Sequence, residues 1–153
     1  MLTVLVLFIC IGINTLFAAD VTFFGPKQYT RGKGKPMTET ANFTIPLNYA
    51  SPGFNISITS GSPQGKNRVS SAEIKLNGEL IFEKKDFNQQ KQFLENTVAL
   101  KPDNILSVTL YSKPGSYLII NIHKFINPPK VTFTANPETI QYEKFSTLSW
   151  NVV

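Results

Sequence analysis

The sequence contains very little of what catalytic and metal sites are usually built from. Of its 153 residues, one is cysteine and one is histidine. The cysteine, Cys10, lies in the apolar stretch at the amino terminus, so a cysteine-type zinc site is excluded from the rest of the chain. A secreted protein without disulfides must be stabilised by its apolar core, and about 105 residues of β-sandwich can provide one.

Charged side chains are absent from residues 1–19, and Asp20 is the first charge in the chain. The apolar run 2–11 and the Ala18-Ala19 end are typical of a secretory signal peptide with a small-residue cleavage site. No Lys or Arg precedes the run, and an uncleaved anchor is the alternative, since about 20 apolar residues span a bilayer. We predict cleavage, which makes the protein secreted or cell-surface, with no membrane span in the mature chain.

Catalytic arrangements are also missing from the sequence. His123 is expected to be a half-exposed surface group at the end of a strand, which leaves a Ser-His-Asp triad without its base. Glycine loops of the phosphate-binding kind are absent. We therefore expect no enzymatic activity, no metal site and no cofactor. Four carboxylates near a predicted hairpin alternate as solubilising surface charges do, rather than as a glycosidase pair: Glu73, Glu79, Glu83 and Asp86.

The strongest structural signal that is present is a β-hairpin around Asn77-Gly78. Both residues tolerate the positive φ of a type I′ turn, and hydrophobic runs flank them. A two-residue loop fixes the register and leaves the returning strand either apolar on both faces or bulged. The predicted opposite pairs are Leu76 with Glu79, Lys75 with Leu80, and Ile74 with Ile81.

Alternating segments continue along the chain with almost no helical periodicity. Gly25-Pro26 is expected to break the first strand, and Pro114-Gly115 to form the centre of a type II turn. The spacing of strands and turns predicts an all-β fold, an antiparallel β-sandwich of jelly-roll or Ig-like type. The predicted strands are 21–24, 38–45, 54–59, 72–76, 80–82, 93–100, 105–111 and 117–123.

The predicted organisation has three parts: a signal peptide at 1–19, a β-sandwich module at 20–127, and a linker with an incomplete Ig-like repeat at 128–153. Asn127-Pro128-Pro129 indicates the linker. Alternation restarts after it, in 131–135 and 146–150. About 24 residues cannot close a sandwich of their own. This segment is therefore either an appendage docked on the first domain or the start of a second module.

Five ordered blocks within residues 24–122 resemble an uncharacterised β-module of large secreted or surface proteins of bacteria. The resemblance implies a modular surface protein and no particular activity. The blocks are Phe24-Gly25-Pro26-Lys27 with Tyr29-Thr30-Arg31 and Gly34-Lys35-Pro36; Asn67-Arg68-Val69-Ser70-Ser71-Ala72; Leu76-Asn77-Gly78; Asp86-Phe87-Asn88-Gln89; and Lys113-Pro114-Gly115-Ser116-Tyr117-Leu118.

Residues 130–153 look like the truncated start of a bacterial Ig-like repeat, on segments 129–132, 135–140 and 146–150. The small, Gly-containing stretch usual in such repeats is replaced here by 141–145, and the remainder of the repeat is missing. Such repeats act as spacers or adhesive modules. The expected function is accordingly a non-enzymatic structural or adhesive module, from a fragment of a longer multi-module chain. The alternatives are a carbohydrate-binding module and an accessory domain of a larger secreted enzyme.

The formal net charge of +5 and a basic loop at 31–36 suggest the partner. A basic exported protein can meet anionic glycans, cell-wall polymers or lipid head groups, although a merely solvated loop is the competing interpretation. The candidate ligand contacts are Tyr29, Arg31, Lys33 and Lys35. The expected partner is an extracellular glycan or a surface protein and not nucleic acid; the oligomeric state is left open.

A structural role competes with ligand contact at several of these positions. Arg31 and Arg68 each follow a turn, and a buried pair with Glu73 or Asp86 is the preferred interpretation for both. Tyrosines of a small sandwich usually fill the edge of the core with the hydroxyl bonded to backbone. That expectation applies to Tyr29, Tyr49, Tyr111 and Tyr117.

Overall fold

The computed structural model describes residues 19–126, 131–136 and 144–152, and within them the secondary structure is almost entirely β. The only helices described are two single 3-10 turns, Leu47–Tyr49 and Lys84–Asp86. Neither has the length or hydropathy to cross a membrane. The strands are β1 (Ala19–Thr30), β2 (Thr38–Thr44), β3 (Phe54–Ser60), β4 (Ala72–Leu76), β5 (Glu79–Phe82), β6 (Phe93–Val98), β7 (Asp103–Leu110), β8 (Tyr117–Ile126), β9 (Val131–Asn136) and β10 (Thr147–Val152).

The first eight strands form two four-stranded antiparallel sheets, in the orders β1-β8-β3-β6 and β2-β7-β4-β5. Their pairing is nested: β4 pairs with β5, β3 with β6, β2 with β7, and β1 neighbours β8. This double-sheet order is that of a jelly roll, whereas an Ig sandwich divides its strands differently. The predicted β-sandwich is confirmed, and of the two types considered the strand order is that of the jelly roll.

The core lies between the two sheets and follows the period of two that extended chains impose. In β3 every second residue is buried, as predicted, and β7 and β8 show the same alternation. Each fully buried aliphatic or aromatic side chain stabilises the fold by about 1.5–3 kcal/mol. The central contributors are Phe54, Ile56, Ile58, Leu106, Val108, Leu118, Ile120 and Ile122.

The Asn77-Gly78 hairpin forms as predicted at its turn. Asn77 has φ 54° and Gly78 has φ 86°, the left-handed values of a type I′ turn. The first two predicted pairs are confirmed, but the Ile74–Ile81 pair is wrong, because a bulge places Ile74 opposite Phe82. The bulge inserts one extra residue in the return strand, so Phe82 joins the core on the same side as Ile74.

The expected break at Gly25-Pro26 is wrong, since β1 continues through both residues. Pro26 is tolerated because β1 is an edge strand, where a missing N–H costs no ladder bond. The Gly25–Pro26 peptide is cis. Gly25 has φ +83°, and a Cβ there would lie 2.3 Å from the Ile120 carbonyl oxygen on the neighbouring strand. Only glycine fits at this close approach.

Residues Asp20–Phe125 make up one compact unit, and the residues from Ile126 onward belong to another. In the latter, β9 and β10 pair antiparallel, with Trp150 opposite Phe133. The strands predicted at 131–135 and 146–150 are thereby confirmed. The predicted signal peptide, apart from Ala19, and Pro128-Pro129 of the linker lie outside the described residues, as do 137–143 of the Ig-like resemblance.

Candidate ligand-binding cleft

A cleft of about 320 Å³ opens at the edge of the jelly roll where β1 passes into β2. The loop 31–37 joins these two edge strands, which belong to opposite sheets. The four residues predicted as ligand contacts, Tyr29, Arg31, Lys33 and Lys35, all line this cleft. The structure therefore brings together the residues that the sequence identified.

Arg31 is buried and forms the inner wall of the cleft. Its guanidinium donates from Nη1 to the carbonyl of Gly32 and from Nη2 to that of Gly34, at 2.7 Å for the latter. The expected pairing with Glu73 or Asp86 is wrong for this residue, because the loop's own carbonyls take both Nη groups. Its Nε is buried and has no hydrogen-bond partner among the described residues. Arg31 thus shapes the loop and adds positive charge beneath it.

Arg68 also departs from the expected pairing with an acidic residue. Its Nη1 donates to the carbonyls of Gln89 and Gln90, at 3.0 and 3.1 Å, and its Nη2 donates to the side-chain oxygen of Gln92. A guanidinium can span several carbonyls because its donors lie in one rigid plane. Arg68 therefore connects the loop after β3 to the loop after β5.

Tyr29 lies under the cleft, with only 1% of its surface exposed. Its hydroxyl is buried without a hydrogen-bond partner among the described residues, contrary to the expectation of a backbone bond. Burial, and next the negative charge of Glu39, raise the pKa of the phenol to about 12. The Lys27 ammonium lies 4.8 Å from the ring centroid. The ring is therefore part of the wall and not a free stacking platform.

The rim of the cleft is positively charged. Lys33 and Lys35 are exposed, and neither forms an ion pair with any described residue. Glu39 is the one carboxylate lining the cleft, and its Oε1 lies 3.0 Å from the Nζ of Lys27. With Glu39 paired in this way, the ammonium groups of Lys33 and Lys35 set the charge that an incoming molecule meets.

Sequence reasoning missed the residues that β2 and β7 contribute. Glu39 comes from β2, while the buried side chains of Val108 and Leu110 of β7 lie at the base. They join the cleft only because β7 pairs with β2 in the sheet that faces β1. The strand alternation that buries Val108 and Leu110 was visible in the sequence, but the nested pairing that places them beside Tyr29 was not.

Taken together, the cleft has buried apolar side chains at its base and, at its rim, two exposed ammonium groups with no ion-pair partner among the described residues. Its volume lies at the lower end of small-molecule sites, which run from about 300 to 1,000 Å³. Chemically, the cleft suits a small ring that carries negative charge.

A wider cavity of about 970 Å³ lies over β2, β7 and the Asn77-Gly78 turn. Two of its lining side chains, Asn77 and Asn104, are hydrogen-bonded within the fold. The buried Asn104 side chain accepts from the Lys101 N–H at 3.0 Å and donates to its carbonyl at 2.6 Å. The Asn77 amide donates to Asn104 and accepts from the Ile105 N–H. These bonds hold the hairpin against β7, so we assign this cavity a structural origin.

His123 is buried within β8, so the expectation of a half-exposed strand end is wrong. Its Nδ1 lies 2.7 Å from Asp20 Oδ1, which resembles two members of a catalytic triad. In a triad, Nε2 faces a nucleophilic hydroxyl, whereas here it lies 3.9 Å from Oε1 of the Glu95 carboxylate. This geometry holds the start of β1 to β8 and supplies no nucleophile.

The carboxylates near the hairpin have partners of their own. The Tyr111 hydroxyl donates to Glu73, and this bond, with the charge of Lys84 as a smaller cause, lowers the pKa of the Glu73 carboxyl. The same bond raises the pKa of Tyr111. Glu83 pairs with a lysine, and Asp86 accepts from the Glu83 N–H at 2.8 Å. A glycosidase general acid needs a raised pKa, which is the opposite of the shift at Glu73.

Within the described ranges, no three His, Cys, Asp or Glu side chains lie close enough to hold a metal ion. A fold used for many purposes carries function in its sites and not in its strand order, so the cleft is what a functional argument must rest on. Comparison of the chain with protein-family models, with curated proteins and with solved structures finds no match.

Proposed function

We propose that the jelly roll is a non-enzymatic binding module of a secreted or cell-surface protein, and that its cleft binds an acidic sugar. The observation that carries the proposal is a concave cleft with two exposed ammonium groups at its rim, on Lys33 and Lys35, neither of which has an ion-pair partner among the described residues. Jelly rolls include lectin domains, which supports the proposal by analogy of fold only.

The charge of the cleft favours an anionic ligand over a neutral one. Glu39, its one carboxylate, is already paired with Lys27, while Arg31, Lys33 and Lys35 are not neutralised by any described acidic residue. A concave site with charge of one sign concentrates ligands of the other sign. A carboxylate or sulfate on the ligand is therefore expected to contact the two lysines.

The shape and the base of the cleft favour a sugar ring over an extended peptide. Met37, which is 81% exposed, also lines the cleft and offers apolar surface that the C–H face of a pyranose can cover. The volume suits about one ring, with its charged group directed to the rim. These features are consistent with adhesion to an acidic glycan, which is how we expect such a module to act.

Isothermal titration calorimetry with an acidic disaccharide and its neutral counterpart tests the proposal. We expect binding of digalacturonate and none of its methyl ester. Replacing both cleft lysines, Lys33→Ala with Lys35→Ala, is expected to weaken binding about tenfold, which corresponds to about 1.4 kcal/mol. The matched control is Lys75→Ala with Lys101→Ala, which removes the same charge from exposed positions outside the cleft. Equal binding of the two sugars, or equal loss in both double variants, would overturn the proposal.

A further inference from the structure

Four loops meet at one end of the jelly roll: 31–37, 61–71, 83–92 and 111–116. Hydrogen bonds join them. The Arg31 N–H donates to the Ser116 carbonyl at 2.8 Å, and the Tyr111 N–H donates to the Ser71 carbonyl at 2.9 Å. Arg68 connects 61–71 to 83–92. We call this surface the basic end, and the cleft of the preceding subsections is one part of it.

Charge is strongly segregated to the basic end. Nine of the chain's 15 lysines and arginines lie in the four loops, against two of its ten aspartates and glutamates. The three loops at the other end of the sandwich, 45–53, 77–78 and 99–102, contain one charged residue, Lys101. Such asymmetry exceeds what solubility requires and creates a directed positive field.

A second cleft, of about 240 Å³, opens on the basic end beside the loop 111–116. Its lining includes Lys66, Arg68 and Lys113 but no carboxylate. Arg68 Nε is buried there without a partner among the described residues, as Arg31 Nε is at the first cleft. The two clefts thus share one arrangement, in which an arginine with a buried Nε holds the loop and exposed lysines form the rim.

The loop 111–116 lies between the two clefts. On one flank the Gly115 N–H donates to the Arg31 carbonyl at 2.8 Å, and on the other the Tyr117 N–H donates to the Asn67 carbonyl at 3.0 Å. Ser112 fixes the loop further, since its hydroxyl accepts from the N–H groups of Ser70 and Ser71. The separation of the clefts is therefore set by rigid hydrogen-bonded backbone.

We propose that the two clefts are successive subsites for a single linear acidic polysaccharide that crosses the basic end over the loop 111–116. This inference rests on the proposed function, and it adds that the ligand is a polymer and that Lys66 and Lys113 contact it. The lysines Lys33, Lys35, Lys66 and Lys113 are exposed and have no ion-pair partner among the described residues. A lysine ammonium is a point charge on a flexible side chain. It therefore responds more to the density of negative charge along a polymer than to the geometry of a single charged group on the ligand.

A polysaccharide fits the basic end better than single-stranded nucleic acid, whose binding uses aromatic side chains on which bases stack. Two aromatic residues occur in the four loops. Phe87 is buried, and the ring of Tyr111 is covered by the Lys84 ammonium at 3.8 Å from its centroid. Tyr111 is 37% exposed, and a single ring with an ammonium over it does not provide the succession of stacking surfaces that such binding uses.

The test is a titration with galacturonate oligomers of two to ten residues on the whole protein and on three double variants. These are Lys33→Ala with Lys35→Ala, Lys66→Ala with Lys113→Ala, and the control Lys75→Ala with Lys101→Ala. We expect affinity to rise at least tenfold once an oligomer spans both clefts, and to fall with added salt. The variant at Lys66 and Lys113 is expected to lose that rise while its affinity for the dimer stays unchanged. Circular dichroism verifies that each variant is folded.

The outcomes separate this inference from the proposed function. If the dimer binds and depends on Lys33 and Lys35 but affinity does not rise with length, the second subsite is refuted and the proposed function stands. If no oligomer binds, the proposed function itself fails. Equally tight binding of a single-stranded oligonucleotide, or of vesicles containing anionic lipid, would overturn the assignment to a polysaccharide.

Discussion

Raising the pH from 10 to 12 is expected to destabilise the jelly roll through Tyr29. The ring is 1% exposed, and its hydroxyl has no hydrogen-bond partner among the described residues that could stabilise a negative charge. Burial and the nearby carboxylate of Glu39 both disfavour the phenolate, so the pKa rises from 10.0 to about 12. An unfolded chain loses this proton about two pH units earlier than the folded protein.

The sign and the size follow from linkage. Between pH 10 and 12 the folded state binds more protons than the unfolded state, so the free energy of unfolding falls as the pH rises. Below pH 10 both states hold the proton, and Tyr29 adds no pH dependence. Each unit of difference in pKa corresponds to about 1.4 kcal/mol, so the rise from 10.0 to about 12 is worth about 2.7 kcal/mol in all. About 2.3 kcal/mol of this is lost by pH 12, where half of the folded molecules are themselves deprotonated.

Urea denaturation followed by circular dichroism at pH 7, 10, 11 and 12 measures this loss, with Tyr29→Phe as the control. Every other side chain is the same in the two proteins, so the difference between the two curves isolates Tyr29. At pH 7 the variant is expected to equal the wild type or exceed it by about 1 kcal/mol, because it removes an unpaired buried hydroxyl. Parallel losses between pH 10 and 12, or a variant clearly less stable at pH 7, would refute the reasoning.

Three further substitutions test the packing. Gly25→Ala is expected to lower the free energy of unfolding in urea by at least about 2 kcal/mol, because its Cβ would collide with a carbonyl of β8. The control Gly32→Ala, with open space around it, is expected to be neutral. Equal losses in the two variants would contradict this. Ile56→Ala is expected to cost about 2–5 kcal/mol by the same measurement, and Ile105→Ala, at a 52% exposed site, less than 1 kcal/mol. Arg68→Ala is expected to speed amide hydrogen exchange in residues 88–92, because the guanidinium is hydrogen-bonded to this segment. Unchanged exchange rates would show that these bonds do not hold the segment in place.

The fold class could be predicted because its signals are local. Alternation in 54–59 specifies a half-buried strand wherever that strand pairs, and Asn77-Gly78 specifies its turn through backbone sterics alone. The register beyond that turn could not be predicted. The bulge in β5 places Phe82 and not Ile81 opposite Ile74, and that choice depends on which of the two side chains fills the core better. Long-range packing decides between them.

Part of the candidate site could be predicted, because that part is also encoded locally in the sequence. Tyr29, Arg31, Lys33 and Lys35 lie close together in sequence, so one loop gathers them without help from the fold. Val108 comes from a strand that is distant in sequence, and only the nested pairing brings it near. Arg31 donates to main-chain carbonyls, and so does Arg68 apart from one bond to the Gln92 side chain. A main-chain carbonyl leaves no trace in the identity of neighbouring residues.

The concentration of charge at one end had a signal in the sequence. Counting along the chain, the first, third, fifth and seventh connections between strands carry nearly all of the loop charge, and the second, fourth and sixth carry one lysine. In an antiparallel sandwich, alternate connections lie at the same end. A strand assignment alone would therefore have predicted the basic end.

The nested pairing of the strands also orders the steps by which the chain can fold. β4 and β5 are joined by two residues, while β1 and β8 enclose nearly the whole sandwich between them. Closing a longer loop costs more conformational entropy. The hairpin at Asn77-Gly78 closes the shortest loop and is therefore the least costly nucleus. Each outer pair of strands then closes a loop that the pair inside it has already shortened. The cleft needs β1 and β2, the outermost strands, and so it is completed last. A folding intermediate with a formed hairpin would have no ligand site.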